Sequence, residues 1–219
     1  MPYFNKRLEY NQNVFLLFYG VGMGKAYANR KKETERPEGD FYATPRSLMW
    51  VAEDLFKSNF WLCAPILDPC CGKGVMKQEL EKFGFRVDEN DISREGGVDY
   101  LDGEWNQRQV VMNPPFSQWD AFVEKAKSHA SRIMVVGRLN YLSTQSRYES
   151  GIWTHLKSVN PFTRYVDYQT PERDDGCFCV GAMATGWFVW DMGYEGQPTI
   201  SMLDVQKWAT LGNFKKRSI

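Results

Sequence analysis

Ile66-Leu67-Asp68-Pro69-Cys70-Cys71-Gly72-Lys73-Gly74 carries an apolar run into a glycine turn, and its reading decides the fold. Leu62 to Leu67 reads as a short apolar strand, and Asp68 to Gly74 as the turn that follows it. A helix over about 74–83 ends at Gly84, because glycine accepts the left-handed backbone that closes helices. Outward from this unit the pattern repeats. Upstream, Leu48, Val51, Ala52, Leu55 and Phe56 recur at helical spacing, so 45–58 reads as an amphipathic helix. Downstream, Phe85–Val87 is a second strand that runs into Asp88-Glu89-Asn90-Asp91. Gln109–Met112 is a third strand, stopped by Asn113-Pro114-Pro115; a helix covers 117–128, and Arg132–Val136 is a fourth strand. Alternating strands and helices predict an α/β fold with a mostly parallel sheet and right-handed crossovers. Phe162–Tyr168 and Trp187–Trp190 read as strands with no long helix between them, which pair antiparallel at the end of the sheet. Trp119, Trp153, Trp187 and Trp190 are assigned to the core.

Composition bounds the function. The chain has 219 residues, 43% hydrophobic and 25% charged, which suits one globular domain with a small appendage. Lys+Arg and Asp+Glu both number 27, which argues against a bulk nucleic-acid coat but not against a local basic face. Basic clusters stand at Arg30-Lys31-Lys32 and Lys215-Lys216-Arg217, and ordinary solvated stretches explain each equally well. The five cysteines, Cys63, Cys70, Cys71, Cys177 and Cys179, form no disulfide framework, which points to reduced thiols in a cytosol. Zinc is not expected, since only His129 and His155 accompany them and no second cysteine pair stands at finger spacing. The first residues lack a continuous apolar run, so no signal peptide is read. Val14–Val21 is too short to cross a bilayer. Gly20-Val21-Gly22-Met23-Gly24-Lys25 is not a phosphate loop, because Tyr19 stands where its first glycine belongs and Ala26 where Ser or Thr should follow the lysine.

The turn at Asp68–Gly74 lies where an open α/β sheet binds ligands, outside the carboxyl ends of its strands. Glycine admits close backbone approach, and a carboxylate there repels phosphate but pairs with an ammonium. S-adenosylmethionine carries an ammonium and no phosphate, so Asp68 suits it better than a nucleotide. At the end of the second strand a carboxylate can accept both ribose hydroxyls, with Asp91 the first choice and Glu89 the reserve. Asp99-Tyr100-Leu101 offers a further carboxylate where an adenine ring would sit.

Asn113-Pro114-Pro115-Phe116 is the strongest signal. Two prolines stiffen the chain beyond Asn113, so the Asn side-chain oxygen and the Pro114 carbonyl can face one pocket. Two fixed acceptors suit an NH2 group with its two hydrogens, and Phe116 can stack on the base that carries it. Holding both hydrogens favours the pyramidal nitrogen whose lone pair attacks a methyl-sulfonium, and no strong base is needed.

Together, Asp68–Gly74 and Asn113–Phe116 resemble the amino-group DNA methyltransferases of N6-adenine type, over about residues 41–142. Phe41-Tyr42-Ala43-Thr44-Pro45 looks like that family's cofactor-carboxylate segment. The motif order is similar to the family's gamma arrangement, and Trp187–Trp190 resembles the last strands of small phage-type members. The resemblance implies a Rossmann-like class I methyltransferase fold with a seven-stranded sheet, an antiparallel last strand and helices on both faces. It implies S-adenosylmethionine as methyl donor, held by Tyr42, Thr44, Pro45, Asp68, Pro69, Cys70, Gly72, Gly74, Asp91, Ile92, Asp99, Tyr100 and Leu101. It also implies catalysis at Asn113, Pro114, Pro115 and Phe116 on a flipped adenine, in the cytoplasm of a bacterial or phage-infected cell. Double-stranded DNA is the expected partner, with no membrane or metal; a monomer is compatible with the sequence.

Residues 1–40 read as an N-terminal arm and 41–219 as the catalytic domain. Within it, 139–180 forms a small target-recognition insertion, and Arg138, Asn140, Arg147 and Arg164 are the candidate DNA contacts. Cys70, Cys71 and Lys73 stand where the family carries smaller residues, and Lys73 is expected to point to solvent. Asn at position 113 favours adenine over cytosine. RNA-base and protein-glutamine amino methyltransferases share similar tetrapeptides, and a non-catalytic binding module with this fold is the remaining alternative.

Overall fold

A computed structural model describes residues 43–166, 168, 178–179 and 183–205. The arm, Phe41, Tyr42, Cys177, both basic clusters and much of the second half of 139–180 lie outside the described residues.

The sheet grows from residues too apolar to leave in water. Strands β1 (Ile66–Asp68), β2 (Val87–Glu89), β3 (Gln109–Met112) and β4 (Arg132–Arg138) pair in parallel. They join β5 (Leu156–Pro161), β8 (Thr185–Asp191) and β9 (Thr199–Ile200) in a seven-stranded sheet of order β2-β1-β3-β4-β8-β5-β9. β8 runs antiparallel to both neighbours, while β9 pairs in parallel with β5. Two short strands, β6 (Tyr165–Val166) and β7 (Phe178–Cys179), form a separate antiparallel pair.

Both faces of the sheet are covered, so its central strands read as unbroken apolar runs instead of alternating ones. Successive side chains go to opposite sides. Val111, Met134, Val136, Trp187 and Val189 pack on one face, with Leu48 and Met49 of α1 (Ser47–Trp50), Phe56 of α2 (Glu53–Asn59) and Met76 and Leu80 of α3 (Val75–Lys82). Val110, Met112, Ile133, Val135, Phe188 and Trp190 pack on the other, against Trp119, Phe122, Val123 and Ala126 of α4 (Trp119–His129). Of the four tryptophans assigned to the core, Trp119, Trp187 and Trp190 are fully buried and Trp153 is half-buried against Trp119 and Trp190. The Trp119, Trp187 and Trp190 indoles are buried and donate to the carbonyls of Val136, Leu48 and Ile152 at 2.8, 3.0 and 3.1 Å. Trp153 stacks on Trp190 with ring centroids 6.2 Å apart.

Several expectations shift in register. The 45–58 helix is two helices, because Ala52 N–H bonds the Met49 carbonyl three residues back and the axis restarts there. β1 begins only at Ile66, since Pro65 has no N–H for the ladder; Ile66 N–H opens it on the Arg86 carbonyl at 2.9 Å. β2 lies two residues later than expected, set by the Ile66↔Val87 register. The expected strand at Phe162–Tyr168 is not in the main sheet. Leu156–Pro161 takes that place beside β8, while Phe162 makes an isolated bridge with Leu203 and Tyr165–Val166 pairs with β7. A 3-10 turn (Leu139–Ser143) and α5 (Gln145–Ser150) fill the start of the 139–180 region.

Candidate functional site

The carboxyl ends of β1, β2 and β3 bring three motifs together. Asp68 ends β1 with its carboxylate buried to 1% exposure. Oδ1 accepts the Cys70 amide at 3.4 Å, and Oδ2 is buried with no hydrogen-bond partner. Burial pushes the Asp68 carboxyl up to about 8, helped by the nearby Glu89 and Asp91.

The turn after Asp68 is clamped from the β2 side. The Asp91 carboxylate accepts Gly72 N–H at 2.7 Å and Ser93 N–H at 2.9 Å, while Arg94 donates to the Gly72 carbonyl at 2.6 Å. Burial acts to raise Asp91, but the hydrogen bonds from Ser93 and Gly72 outweigh it and hold the carboxyl below its ordinary value. Gly74 has a φ of +75°, and a Cβ there would come within 2.7 Å of Glu89 Oε1, so any other residue would be strained and would have to displace the Glu89 carboxylate. Glu89 lies against Gly74 and faces Arg94 at 3.4 Å, which leaves Asp91 as the carboxylate beside Gly72. Lys73 is exposed, as expected.

Asn113 sits at the end of β3 and is 9% exposed. Its Nδ2 donates to Thr44 Oγ1 at 3.2 Å, and its backbone amide hydrogen-bonds the Cys70 sulfur. Burial pushes the Cys70 thiol far up, so it stays neutral. Cys70 therefore ties the glycine turn to the Asn-Pro-Pro-Phe segment. No sequence motif marked that link; the one signal was a cysteine where smaller residues are usual. Pro45, Pro69 and Pro114 are buried and Pro115 is half-buried around this centre.

Arg46 was also missed. It donates to Glu79 and Gln78 of α3, and Trp50 Nε1 donates to Glu79 at 2.9 Å. These bonds lash the segment carrying Thr44 to the helix that follows the glycine turn.

Other candidates fall at the rim or leave the site. Asp99 Oδ1 caps the Leu101 amide at 2.9 Å, and Leu101 is half-buried against the α4 side of the core. Ile92 is 68% exposed. The Tyr100 side chain turns into the core, where its hydroxyl meets His129 Nε2 at 2.9 Å, so only its backbone borders the site. Arg147 is engaged by protein: it pairs with Asp120 at 2.7 Å and lies over the Tyr141 ring at 4.1 Å. Asn140 and Arg164 are exposed, while Arg138 reaches over the Phe116 ring at 4.5 Å. Among the described residues, no group of three or more His, Cys, Asp or Glu is placed to hold a metal, and no helix is long and apolar enough to cross a membrane.

Solved structures share the fold of the sheet and its helices. A Listeria monocytogenes protein assigned as a class I S-adenosylmethionine-dependent methyltransferase superposes with a TM-score of 0.55 at 10% identity, over 83% of this chain and 74% of its own. The fold is that of a class I methyltransferase. A Pyrococcus horikoshii protein assigned as an RNA methyltransferase matches at TM-score 0.52 and 15% identity, over 78% of this chain and 96% of its own. The protein assigned as modification subunit of a type I restriction enzyme from Vibrio vulnificus matches at 0.52 and 12% identity, over 74% of this chain; the chain spans only 47% of that subunit. No protein-family model matches the sequence, and no curated protein does.

Proposed function

We propose that this chain transfers a methyl group from S-adenosylmethionine to the N6 amino group of a flipped adenine in double-stranded DNA. The observation that carries the reading is the convergence on Asn113. The β3 end that bears its amide is joined to Thr44 by one hydrogen bond and to the glycine turn by another, so the candidate amine site and cofactor site are parts of one structure.

The residues fit the cofactor. Asp68 Oδ2 is a buried acceptor without a partner, suited to an ammonium, and the turn carries left-handed glycines at Gly72 (φ +49°) and Gly74 (φ +75°), where a Cβ at Gly74 would meet Glu89 Oε1. Thr44 and Pro45, with Tyr42 before them, would face the carboxylate end, Asp91 the ribose, and Asp99 with Leu101 the adenine ring. When bound, S-adenosylmethionine supplies an electrophilic methyl on sulfur. The chain's own part is to orient the amine. Asn113 and the Pro114 carbonyl would accept its two hydrogens, which localises the nitrogen lone pair toward the methyl; as the nitrogen–methyl bond formed and the methyl–sulfur bond broke, one of these hydrogens, now acidic, would pass to solvent. Removing the base from the stack costs a few kcal/mol, and an aromatic platform at Phe116 offsets part of it.

The test is methyl transfer from labelled S-adenosylmethionine to unmethylated duplex DNA, with nucleoside analysis and Asn113→Ala as control. N6-methyladenine that disappears in the variant supports the reading. Label absent from DNA while the cofactor still binds would sink it. RNA is the second reading, favoured by the likeness in fold and size to the Pyrococcus horikoshii protein. Nuclease treatment of a labelled nucleic-acid mixture with DNase or RNase separates the two.

A further inference from the structure

Phe116 is the expected base platform, yet the residue is only 8% exposed. The Arg138 guanidinium lies 4.5 Å from the ring centroid, and Tyr168 meets the same ring edge-on at 5.8 Å. Below it, the Tyr141 hydroxyl donates to the Phe116 carbonyl at 3.3 Å, which holds the platform's backbone. A planar guanidinium on an aromatic ring fills much the same space as one edge of a stacked base. No purine can stack on Phe116 from that side until Arg138 leaves.

Arg138 is built to leave. Arg147 has a carboxylate partner in Asp120, and Arg132 has one in Asp191 at 3.3 Å. Arg138 makes no ion pair among the described residues, and its Nε is buried without a hydrogen-bond partner. A half-buried cation with no counter-ion gains by meeting an anion. It stands at the carboxyl end of β4, next in the sheet to β3, whose own carboxyl end leads into Asn113 and Phe116.

We propose that Arg138 is a placeholder in the base site: its guanidinium covers Phe116 until a purine nucleotide displaces it, and it then pairs with that nucleotide's flanking phosphate. The proposal rests on the base-methylation reading above and assigns to one residue two successive partners, ring and phosphate. Arg138 thereby couples base entry to recognition of the backbone, and favours a nucleotide over a bare base.

The probes are 2-aminopurine deoxyriboside and its 5′-monophosphate, titrated against the protein with S-adenosylmethionine present and read by fluorescence quenching. Arg138→Ala uncovers the ring, so the nucleoside binds about three- to tenfold tighter than to the native protein. The same variant loses the preference for the monophosphate, which the native protein shows by about fivefold. Arg138→Lys stacks poorly but keeps its charge, so it gains nucleoside affinity and retains the phosphate preference. Equal or weaker nucleoside binding by Arg138→Ala overturns the placeholder, as does an undiminished preference for the monophosphate. Quenching absent from the native protein and both variants, with calorimetric cofactor binding intact, overturns the base-site reading beneath it.

Discussion

Asn113 and Thr44 stand 69 positions apart in the chain, yet the Asn113 amide nitrogen donates to the Thr44 hydroxyl across 3.2 Å. In this orientation Nδ2 faces the threonine and Oδ1 lies away from it. Thr44→Val keeps the side-chain shape and removes the acceptor. Methyl transfer should fall about fivefold or more in kcat, because one net hydrogen bond is worth about 1 kcal/mol. Thr44→Ser should restore it. Steady-state kinetics on both variants, beside calorimetric cofactor affinity, checks this; an unchanged kcat in Thr44→Val would remove the positioning role.

Asp68 gives a pH signature. Its carboxyl lies near 8 when folded because it is buried, against an ordinary aspartate when unfolded. The folded protein therefore holds a proton that the unfolded chain has released, and stability falls as pH rises from the ordinary carboxylate range to about 8. Asp68→Asn removes that penalty. Its Tm should exceed the native value at neutral pH, with the gap widening up to about pH 8. The cofactor's ammonium selects the ionised form, so native affinity should tighten between about pH 6 and pH 8 while Asp68→Asn binds weakly throughout. Thermal melts and calorimetry across that range decide it; parallel pH profiles for the two proteins would count against the assignment.

Glu79 behaves with the opposite sign. Burial acts to raise it, but hydrogen bonds from Lys82, Trp50 and Arg46 prevail and hold its carboxyl below the ordinary value. Its contribution is present above the usual carboxylate range and is lost as pH falls through the folded value. Glu79→Ala should cost about 1–2 kcal/mol at neutral pH, since it removes the buried acceptor shared by Trp50, Arg46 and Lys82. Glu79→Gln should lose less, and its deficit should shrink below about pH 4. Denaturant melts at two pH values test both statements.

Gly74→Ala should be harmful on two counts. A left-handed backbone at +75° costs alanine about 1–2 kcal/mol, and the new methyl would press on Glu89 Oε1. Adding Glu89→Ala should relieve the second count and leave the first, so the double variant recovers part of the lost stability. Recovery absent from urea melts would mean that Glu89 is not the obstacle.

Much of this was legible because the central strands are apolar on both faces and flanked by glycine or proline. Gln109–Met112 and Arg132–Val136 declare themselves as buried strands, and Asp68–Gly74 and Asn113–Phe116 mark the two turns where chemistry can sit. Leu156–Pro161 hid, because Lys157, Ser158 and Asn160 break its apolar pattern; Asn160 and Ser158 satisfy each other inside the sheet at 2.9 Å. Tyr100 misled for a related reason: a polar-tipped aromatic beside a motif reads as a site residue, but His129, far along the chain, supplies the partner that lets it be buried. The lashing of Arg46 to Glu79 and of Asn113 to Cys70 depends on distances between elements, which no local pattern records.

The position of β8 has a consequence for biosynthesis. Thr185–Asp191 lies between β4 and β5, pairing with all seven residues from Arg132 to Arg138 on one side and with Leu156–Pro161 on the other. Until it emerges from the ribosome, β4 and β5 each present an unpaired backbone edge, and the apolar side chains that meet Trp187, Phe188 and Trp190 have no cover. A nascent chain stalled before Thr185 is thus a four-stranded parallel sheet open at β4 together with a β5 that lacks both of its partners, since β9 emerges later than β8; either edge can pair with a neighbour's strand, and the methyltransferase fold becomes protease-resistant only when β8 joins them.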